Sequence, residues 1–233
     1  MEVEGCSLPE DRLYDLEQDV WFKPSDGGRS ATVGILASLA SFAGRFQSVG
    51  FRPVEGVVAR GRSVATVESV RYTGAVRLPV DGRVLERNVA LVDRPKLLND
   101  APYDEGWVVV IAPDRPGTLP AALVDAAAVR DGLAARIREL RIRCYPAAPD
   151  VELYEIGAEC SAILARLDTE LAGRAARDVV LLVTDDPTSP IEMIRWSDRT
   201  GHSVLAHRKE ANLHHFLIRK EANPTPRLRR GPS

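Results

Sequence analysis

The sequence has few cysteines and no long hydrophobic run, and both shortages limit what it can be. Its three cysteines, Cys6, Cys144 and Cys160, are widely spaced, and no two of them form a CxxC pair. Neither a disulfide framework nor a zinc site is therefore expected. No stretch approaches the length needed to cross a bilayer, and acidic residues stand near the start where a signal peptide would need basic ones. These features predict a cytoplasmic protein.

The chain also lacks a strong net charge. Its formal charge is -2 over 233 residues, which gives no broad attraction to phosphate polymers or acidic membranes. Nucleic acid and membrane are therefore not expected as partners. Hydrophobic residues make up 45% of the chain, enough for a buried core. The exception is a basic tail, residues 223–233, where Arg227, Arg229 and Arg230 stand among prolines and glycine, and which is expected to be disordered.

The first half contains short apolar runs separated by glycines, which predicts a small antiparallel sandwich or barrel. The predicted strands are residues 32–36, 54–59, 63–70, 75–78, 83–85 and 106–111. A helix is expected over residues 38–45. One or two amphipathic helices are expected over residues 121–143, which are rich in alanine, leucine and arginine.

A domain boundary is predicted at residues 145–149, where two prolines within four residues mark a linker. Beyond it the pattern predicts strand 151–156, helix 161–171, strand 178–184, helix 190–199 and strands 203–208 and 213–219. This β-α-β-α-β-β order predicts a two-layer α/β sandwich. The expected fold class is therefore α+β with two domains, residues 1–144 and 150–222.

Several motifs in the first half occur in a distinctive order. They are Thr32-Val33-Gly34-Ile35, Val67-Glu68-Ser69-Val70-Arg71, Leu78-Pro79-Val80-Asp81-Gly82-Arg83-Val84, Leu97-Leu98-Asn99-Asp100 and Glu105-Gly106-Trp107. In this order and spacing they resemble the glycine-cleavage H-protein family over roughly residues 13 to 140. The resemblance implies a lipoyl-domain-like β sandwich.

The same resemblance directs attention to Arg71. The family presents lipoate on a lysine at a hairpin tip, within a Glu-Ser-Val-Lys-Ala pattern, and that position is Arg71 here. A guanidinium stays protonated and cannot supply the uncharged amine that lipoylation needs, so we expect no lipoate and no other cofactor. Two interpretations of the tip remain open. Arg71 is solvated on a relic hairpin, or Arg71 and Arg77 together bind a carboxylate or phosphate of a partner.

The second half leads from a strand through Tyr154-Glu155-Ile156-Gly157-Ala158-Glu159 to Cys160 at a predicted helix start. A thiol in that position is favoured as thiolate by the helix dipole and nearby N–H groups. Together with Asp185-Asp186-Pro187 and Gly201-His202, this run resembles the TusA/SirA-like sulfur-carrier family. The resemblance implies a cysteine that passes persulfide sulfur and places it at Cys160. The family's Cys-Pro-x-Pro is Cys-Ser-Ala-Ile here.

Other candidate residues receive structural interpretations. Cys160 itself could instead be a small buried hydrophobe, and Cys144 is at most a resolving partner for Cys160. Asp185 and Asp186 are expected to form a turn and a helix cap. Adjacent His214 and His215 would point to opposite faces of a strand, so no metal site is expected.

The leading hypothesis is a sulfur relay that passes persulfide through Cys160, with a non-lipoylated H-protein-like module for docking. The alternative is a non-catalytic adaptor in which both carrier modules are degenerate. Expected partners are persulfide donor and acceptor proteins, together with lipoyl-handling or glycine-cleavage enzymes. The protein would be at most a sulfurtransferase-type carrier and not a stand-alone enzyme. A working glycine-cleavage carrier is disfavoured by Arg71.

Overall fold

A computed structural model describes residues 1–226 of the chain. It divides into two compact units, Met1–Cys144 and a second unit that begins at Tyr145. Residues Arg227, Arg229 and Arg230 of the predicted basic tail lie outside the described residues. Within the described part of the chain, no helix is both long enough and apolar enough to span a membrane.

The first unit is built mainly from strands. These are β1 (Glu2–Val3), β2 (Cys6–Ser7), β3 (Leu13–Asp15), β4 (Val20–Ser25), β5 (Ser30–Ile35), β6 (Phe46–Phe51), β7 (Ser63–Ser69), β8 (Thr73–Arg77), β9 (Gly82–Arg87), β10 (Trp107–Pro113) and β11 (Val124–Asp125). Its helices are α1 (Ala37–Ala43), α2 (Ala90–Asp93), α3 (Leu97–Asp100) and α4 (Ala126–Glu139). A 3-10 turn, Asp26–Gly28, joins β4 to β5.

The strands form the predicted antiparallel sandwich. One sheet has the order β11-β3-β4-β5-β10-β9, the other has the order β6-β7-β8, and β1 pairs with β2. In β5, Ala31, Val33 and Ile35 are fully buried, as the two-residue period of a strand requires when one face meets the core. The sandwich predicted for the first half is therefore confirmed.

Some predicted elements of the first unit differ from the structure. Residues 54–59 form no strand, and Val58 makes only an isolated bridge to Gly82. Six strands were not predicted, namely β1, β2, β3, β4, β6 and β11. In β4 the reason is that residues 20–22 are all buried and show no alternation. The helix predicted to residue 45 ends earlier, because Gly44 has a φ of 73° that leaves the helical region.

Helix α4 begins later than residue 121. The carboxylate of Asp125 accepts a hydrogen bond from the Ala128 amide at 2.8 Å and caps the helix there. Val129, Leu133 and Ile137 recur every four residues and are buried, so one face of α4 packs on the sandwich. The amphipathic helix predicted in this region is a single one.

A disulfide joins Cys6 to Cys144, which corrects the expectation of free thiols. Their Cα atoms lie 5.0 Å apart although 138 residues separate them in the chain. Helix α4, which ends just before Cys144, contacts β1, the partner of the strand that carries Cys6. Cys144 is therefore held by Cys6 and is not a resolving thiol for Cys160. Sequence spacing alone could not reveal this approach.

The second unit has the predicted β-α-β-α-β-β order. Its elements are β12 (Val151–Glu155), α5 (Cys160–Ala172), β13 (Val179–Thr184), α6 (Ser189–Thr200), β14 (Ser203–Glu210) and β15 (Leu213–Arg219). The sheet order is β12-β13-β15-β14, with β12 and β13 parallel and the other pairs antiparallel.

Strand β13 is buried along its whole length because both faces of the sheet are covered. Val180 and Leu182 belong to a core cluster with helix residues such as Trp196. On the opposite face, residues 179, 181 and 183 pack with Tyr145 and Ala147. The segment predicted as a linker thus contributes to the core of the second unit.

Candidate functional site

Arg71 lies in the tight turn that joins β7 to β8. The Ser69 amide donates to the Tyr72 carbonyl at 2.8 Å, and Glu68 pairs with Thr73, so the turn is short. Val70 is 87% exposed at its apex. The hairpin predicted around residue 71 is therefore present, with its tip at the surface.

The guanidinium of Arg71 is bonded to the end of helix α1. Its Nε donates to the Phe42 carbonyl at 3.2 Å and its Nη2 donates to the Ser41 carbonyl at 3.3 Å. Carbonyls in the last turn of a helix lack partners within the helix, and a cation there is favoured by the helix dipole. A Cβ at Gly44 would lie 3.0 Å from this flexible guanidinium, and the φ of 73° at Gly44 is a backbone conformation that favours glycine.

Two further side chains hold the same helix end. The Asn99 amide donates to the carbonyls of Ala40 at 3.1 Å and Gly44 at 2.8 Å, while its oxygen accepts from the Phe46 amide at 2.9 Å. The Ser69 hydroxyl donates to the Ala43 carbonyl at 2.7 Å. Asn99 belongs to the Leu-Leu-Asn-Asp motif, but sequence reasoning gave it no role.

Arg77 does not lie beside Arg71. In the register of the hairpin Arg77 pairs with Ser63, the first residue of β7, at the end of the hairpin opposite the turn. Arg71 is in the turn itself. The structure therefore does not bring the two arginines together into the single basic tip considered from the sequence.

A cavity of about 70 Å³ lies next to Tyr72 of the hairpin tip. Its lining residues are Asp19, Ser38, Leu39, Phe42, Tyr72, Arg136, Leu140 and Ile142. Arg136 and Asp19 form an ion pair with an N–O distance of 2.8 Å. Burial raises the pKa of Asp19, and the nearby Arg136 guanidinium opposes that rise. This ion pair was not predicted, because 117 residues separate its members.

The hairpin residues do not fit an amide-linked lipoyl group. That linkage needs a primary amine, and Arg71 offers a guanidinium that already donates to helix carbonyls. The lysines of the chain are Lys23, Lys96, Lys209 and Lys220, and none of them lies between β7 and β8.

Cys160 is the first residue of α5 and is partly buried. Burial raises the pKa of its thiol, and the negative charges of Asp186 and Glu192 raise the pKa further. A hydrogen bond involving Thr188 acts in the opposite direction. The lowered pKa expected from the helix start is therefore outweighed, and the resting thiol is favoured over the thiolate.

The aspartates that follow β13 form the expected turn, but the expected helix cap is absent, because the residue before α6 is Thr188 and makes no side-chain cap hydrogen bond. Asp185 accepts a hydrogen bond from the Gly157 amide at 2.8 Å. Asp186 accepts from the amide of Thr188 at 2.8 Å and from its hydroxyl at 2.7 Å, just before α6 begins. Asp186 therefore shapes this turn and also contributes the charge that acts on Cys160.

Comparison with known proteins identifies the first unit. The family model described as glycine cleavage H-protein matches residues 12–135. Glycine cleavage system H protein 5 of Aquifex aeolicus is 38% identical over 147 residues, which cover 61% of this chain and 98% of that protein. The mitochondrial glycine cleavage system H protein of Mesembryanthemum crystallinum is 41% identical over 101 residues, covering 42% of this chain and 59% of that protein.

A solved structure is also similar to this chain. It is a glycine cleavage system H protein from Mycobacterium marinum, 26% identical, with a TM-score of 0.47, and the match covers 54% of this chain and 98% of that one.

These matches correct one expectation from the sequence. We expected no cofactor, and specifically no lipoate, whereas glycine cleavage H-proteins normally carry lipoate on a lysine. Lipoate is thus the cofactor associated with this fold. The hairpin position where the sequence resemblance places the lysine holds Arg71.

Proposed function

We propose that this chain, which belongs to the glycine cleavage H-protein family through residues 12–135, is a sulfur carrier with an H-protein docking unit. In this proposal the first unit binds enzymes that recognise H proteins. The second unit carries sulfur as a persulfide on Cys160. The observation that carries the proposal is the position of Cys160, a partly exposed thiol at a strand-to-helix junction in a separate unit of an H-protein family member.

The hairpin tip supports docking because it is preorganised. Arg71 ties the turn to α1, and the rings of Phe42 and Tyr72 meet edge to face with centroids 6.2 Å apart. Val70 and Phe42 remain exposed beside this contact. A partner that binds these apolar groups would order little additional chain, which lowers the entropic cost of association. Glycine-cleavage or lipoyl-handling enzymes are the proposed partners of this surface.

The second unit supports sulfur transfer through its resemblance to the TusA/SirA-like family. In the proposed step the Cys160 thiol loses its proton and the thiolate attacks the outer sulfur of a donor persulfide. A new S–S bond forms as the donor S–S bond breaks, and the donor leaves as a thiolate that takes up a proton. The reverse sequence delivers the sulfur to an acceptor protein.

The acidic surroundings of Cys160 indicate the chemistry of the sulfur donor. Burial, and after it the charges of Asp186 and Glu192, raise the pKa of the isolated thiol and favour its protonated form. A lysine or arginine of a docked partner would neutralise these carboxylates and lower the thiol pKa. The proposed donor therefore presents a basic surface next to its persulfide, and activation of Cys160 accompanies docking.

Intact-mass spectrometry of the full chain tests the carrier role. The protein is incubated with a cysteine desulfurase and cysteine, and the wild type is expected to gain the mass of one sulfur atom. Cys160→Ser is the matched control, because Cys6 and Cys144 are already joined as a disulfide. An unmodified wild type, or sulfur retained by Cys160→Ser, would refute the carrier role.

The second candidate function is a non-catalytic adaptor. The observations that favour it are the bonded guanidinium of Arg71 and the raised pKa of Cys160. An adaptor would bind a glycine-cleavage enzyme with equal affinity as wild type and as Cys160→Ser, and neither form would acquire sulfur. Val70→Asp, which places a charge at the exposed tip, should weaken binding by the first unit under either candidate function.

A cytoplasmic location is part of the proposal, since a persulfide carrier needs a reduced thiol. The Cys6–Cys144 disulfide argues in the other direction, because stable disulfides are uncommon in the cytosol. Fractionation of cells that express the protein, followed by thiol trapping, would decide both the compartment and the state of these cysteines.

A further inference from the structure

His207 in β14 and His214 in β15 face each other across their hairpin. The Nε2 atom of His207 lies 2.9 Å from the Nδ1 atom of His214. The ring centroids are 5.2 Å apart and the planes differ by 18°. At that centroid separation, so short an N–N distance requires the two nitrogens to point directly at each other in nearly coplanar rings.

His207, the exposed member of the pair, lines a partly apolar cavity. The cavity has a volume of about 340 Å³ and is lined by residues of α6 and β14, including Met193 and His207, and by Phe216 of β15. The Phe216 ring lies parallel to the His207 ring with centroids 4.5 Å apart. His214 is 6% exposed, whereas His207 is exposed on β14, an edge strand. One imidazole is therefore fixed in the core and the other can adjust.

We propose that His207 and His214 form a binding site for a soft monovalent cation, Cu(I), and that the thioether of Met193, which lines the same cavity as His207, supplies the third ligand. Among residues 1–226, no group of three or more histidine, cysteine, aspartate or glutamate side chains could hold a metal ion. The described side chains therefore do not provide the oxygen-rich cage of Ca²⁺ or the four-ligand set of structural Zn²⁺. Two imidazole nitrogens and one thioether match the preferences of Cu(I).

Binding requires a small and specific adjustment. Metal–imidazole bonds are about 2.0 Å long, so the facing nitrogens must separate by roughly 1 Å to admit an ion between them. His207 can move because it is exposed and borders the cavity. The ring that now donates its proton must hold that proton on its other nitrogen, so that both facing nitrogens offer lone pairs.

Silver(I) is a suitable probe, since it has the same charge and similar softness and needs no reductant that would open the Cys6–Cys144 disulfide. The titration uses the full chain with Cys160→Ser, because a thiol would also bind silver. We expect one ion per chain, with shifts of the ¹⁵N resonances of His207 Nε2 and His214 Nδ1. Copper(I), added as its acetonitrile complex under nitrogen, should compete for the same site.

Three variants in the Cys160→Ser background complete the test. His207→Phe keeps an aromatic ring against Phe216 but removes the ligand, and it should weaken silver binding by more than about tenfold. Met193→Leu should weaken binding while leaving the ¹⁵N shifts of both histidines at saturation. Lys209→Ala, on the same strand and opposite His214 in the register, should bind normally. Absence of binding, or full affinity in His207→Phe, would overturn the site, and neither result bears on sulfur transfer by Cys160.

Discussion

The guanidinium of Arg71 donates a hydrogen bond to the backbone oxygen of Phe42, over a distance of 3.2 Å. A second bond, to the carbonyl of Ser41, extends this contact along the last turn of α1. The residue at the hairpin position associated with lipoate in this family therefore stabilises a helix end. The positive charge of Arg71 is stabilised by the partial negative charge of the carboxyl end of α1.

Arg71→Ala should destabilise the first unit modestly, by about 1 kcal/mol, because it removes two hydrogen bonds and a favourable charge at a helix end. Urea unfolding followed by circular dichroism measures the change. Arg77→Ala is the matched control, since it removes an arginine from the same hairpin at the end away from the turn. Equal stability loss in both variants would contradict the specific role of Arg71.

Arg71→Lys should create a substrate for a lipoate ligase. The substitution supplies a primary amine at the family's hairpin position, within Glu-Ser-Val-Lys. Intact-mass and peptide mass spectrometry, after incubation with ligase, lipoate and ATP, should show a lipoyl group at position 71. The wild-type chain is run in parallel, and any adduct there is mapped to one of its lysines. A variant that remains unmodified at position 71 would show that more than the amine is missing.

The second unit was the easier half to predict. Strand β13 is a continuous apolar run, and α6 is followed by Gly201, whose φ of 77° ends the helix. Such local signals predicted the ends of each helix and strand of the second unit to within about two residues. In the first unit, Trp21 and its neighbours form a buried strand without alternation, so periodicity could not find it.

The sites depended on contacts that periodicity does not encode. Arg71 bonds to backbone carbonyls, which have no side-chain signature in the sequence. The pairing of His214 with His207 depends on the register of β14 and β15, which the adjacent residues His214 and His215 do not indicate. The charge effect on Cys160 likewise comes from Asp186 and Glu192, distant in sequence and close in the fold.

The Cys6–Cys144 disulfide should be a major stabilising element of the first unit. Its closed loop spans 138 residues, and loss of such a cross-link is expected to cost about 2 to 5 kcal/mol through the entropy of the unfolded chain. Cys6→Ser with Cys144→Ser should therefore unfold at lower urea concentration than the wild type. Cys160→Ser removes a thiol elsewhere and should leave the transition of the first unit unchanged. A double variant as stable as the oxidised wild type would contradict this role.

Asn99→Ala should lower the stability of the first unit more than the loss of one short side chain suggests. It removes two donated bonds, to Ala40 and Gly44, and one accepted bond, from Phe46. Leaving these backbone groups without partners should cost about 2 to 4 kcal/mol. Asn99→Asp keeps an acceptor for the Phe46 amide but places a negative charge against the Ala40 and Gly44 carbonyls at the helix end, so a loss at least as large as in Asn99→Ala is expected. The ranking is measured by urea unfolding, and a neutral Asn99→Ala would show that water replaces the amide.

Asp186→Asn should make Cys160 more reactive at neutral pH. The pKa of the thiol is raised first by burial and then by the charge of Asp186, so removal of that charge lowers the pKa and increases the thiolate fraction at pH 7. The rate of iodoacetamide alkylation, measured from pH 6 to 10, should rise at lower pH in the variant than in the wild type. Asp185→Asn removes the neighbouring carboxylate, which bonds to the Gly157 amide, and serves as the control.

The same pair of variants separates the two candidate functions. If docking of a basic partner activates Cys160 by neutralising Asp186, then Asp186→Asn should acquire sulfur from a small persulfide donor faster than the wild type, while Asp185→Asn should not. The reason is that Asp186→Asn already removes the negative charge that a basic partner would otherwise neutralise. If the alkylation profile shifts as expected but no variant retains sulfur on Cys160, the thiol is accessible and yet is not a carrier. That combination would leave the adaptor as the function of this family member.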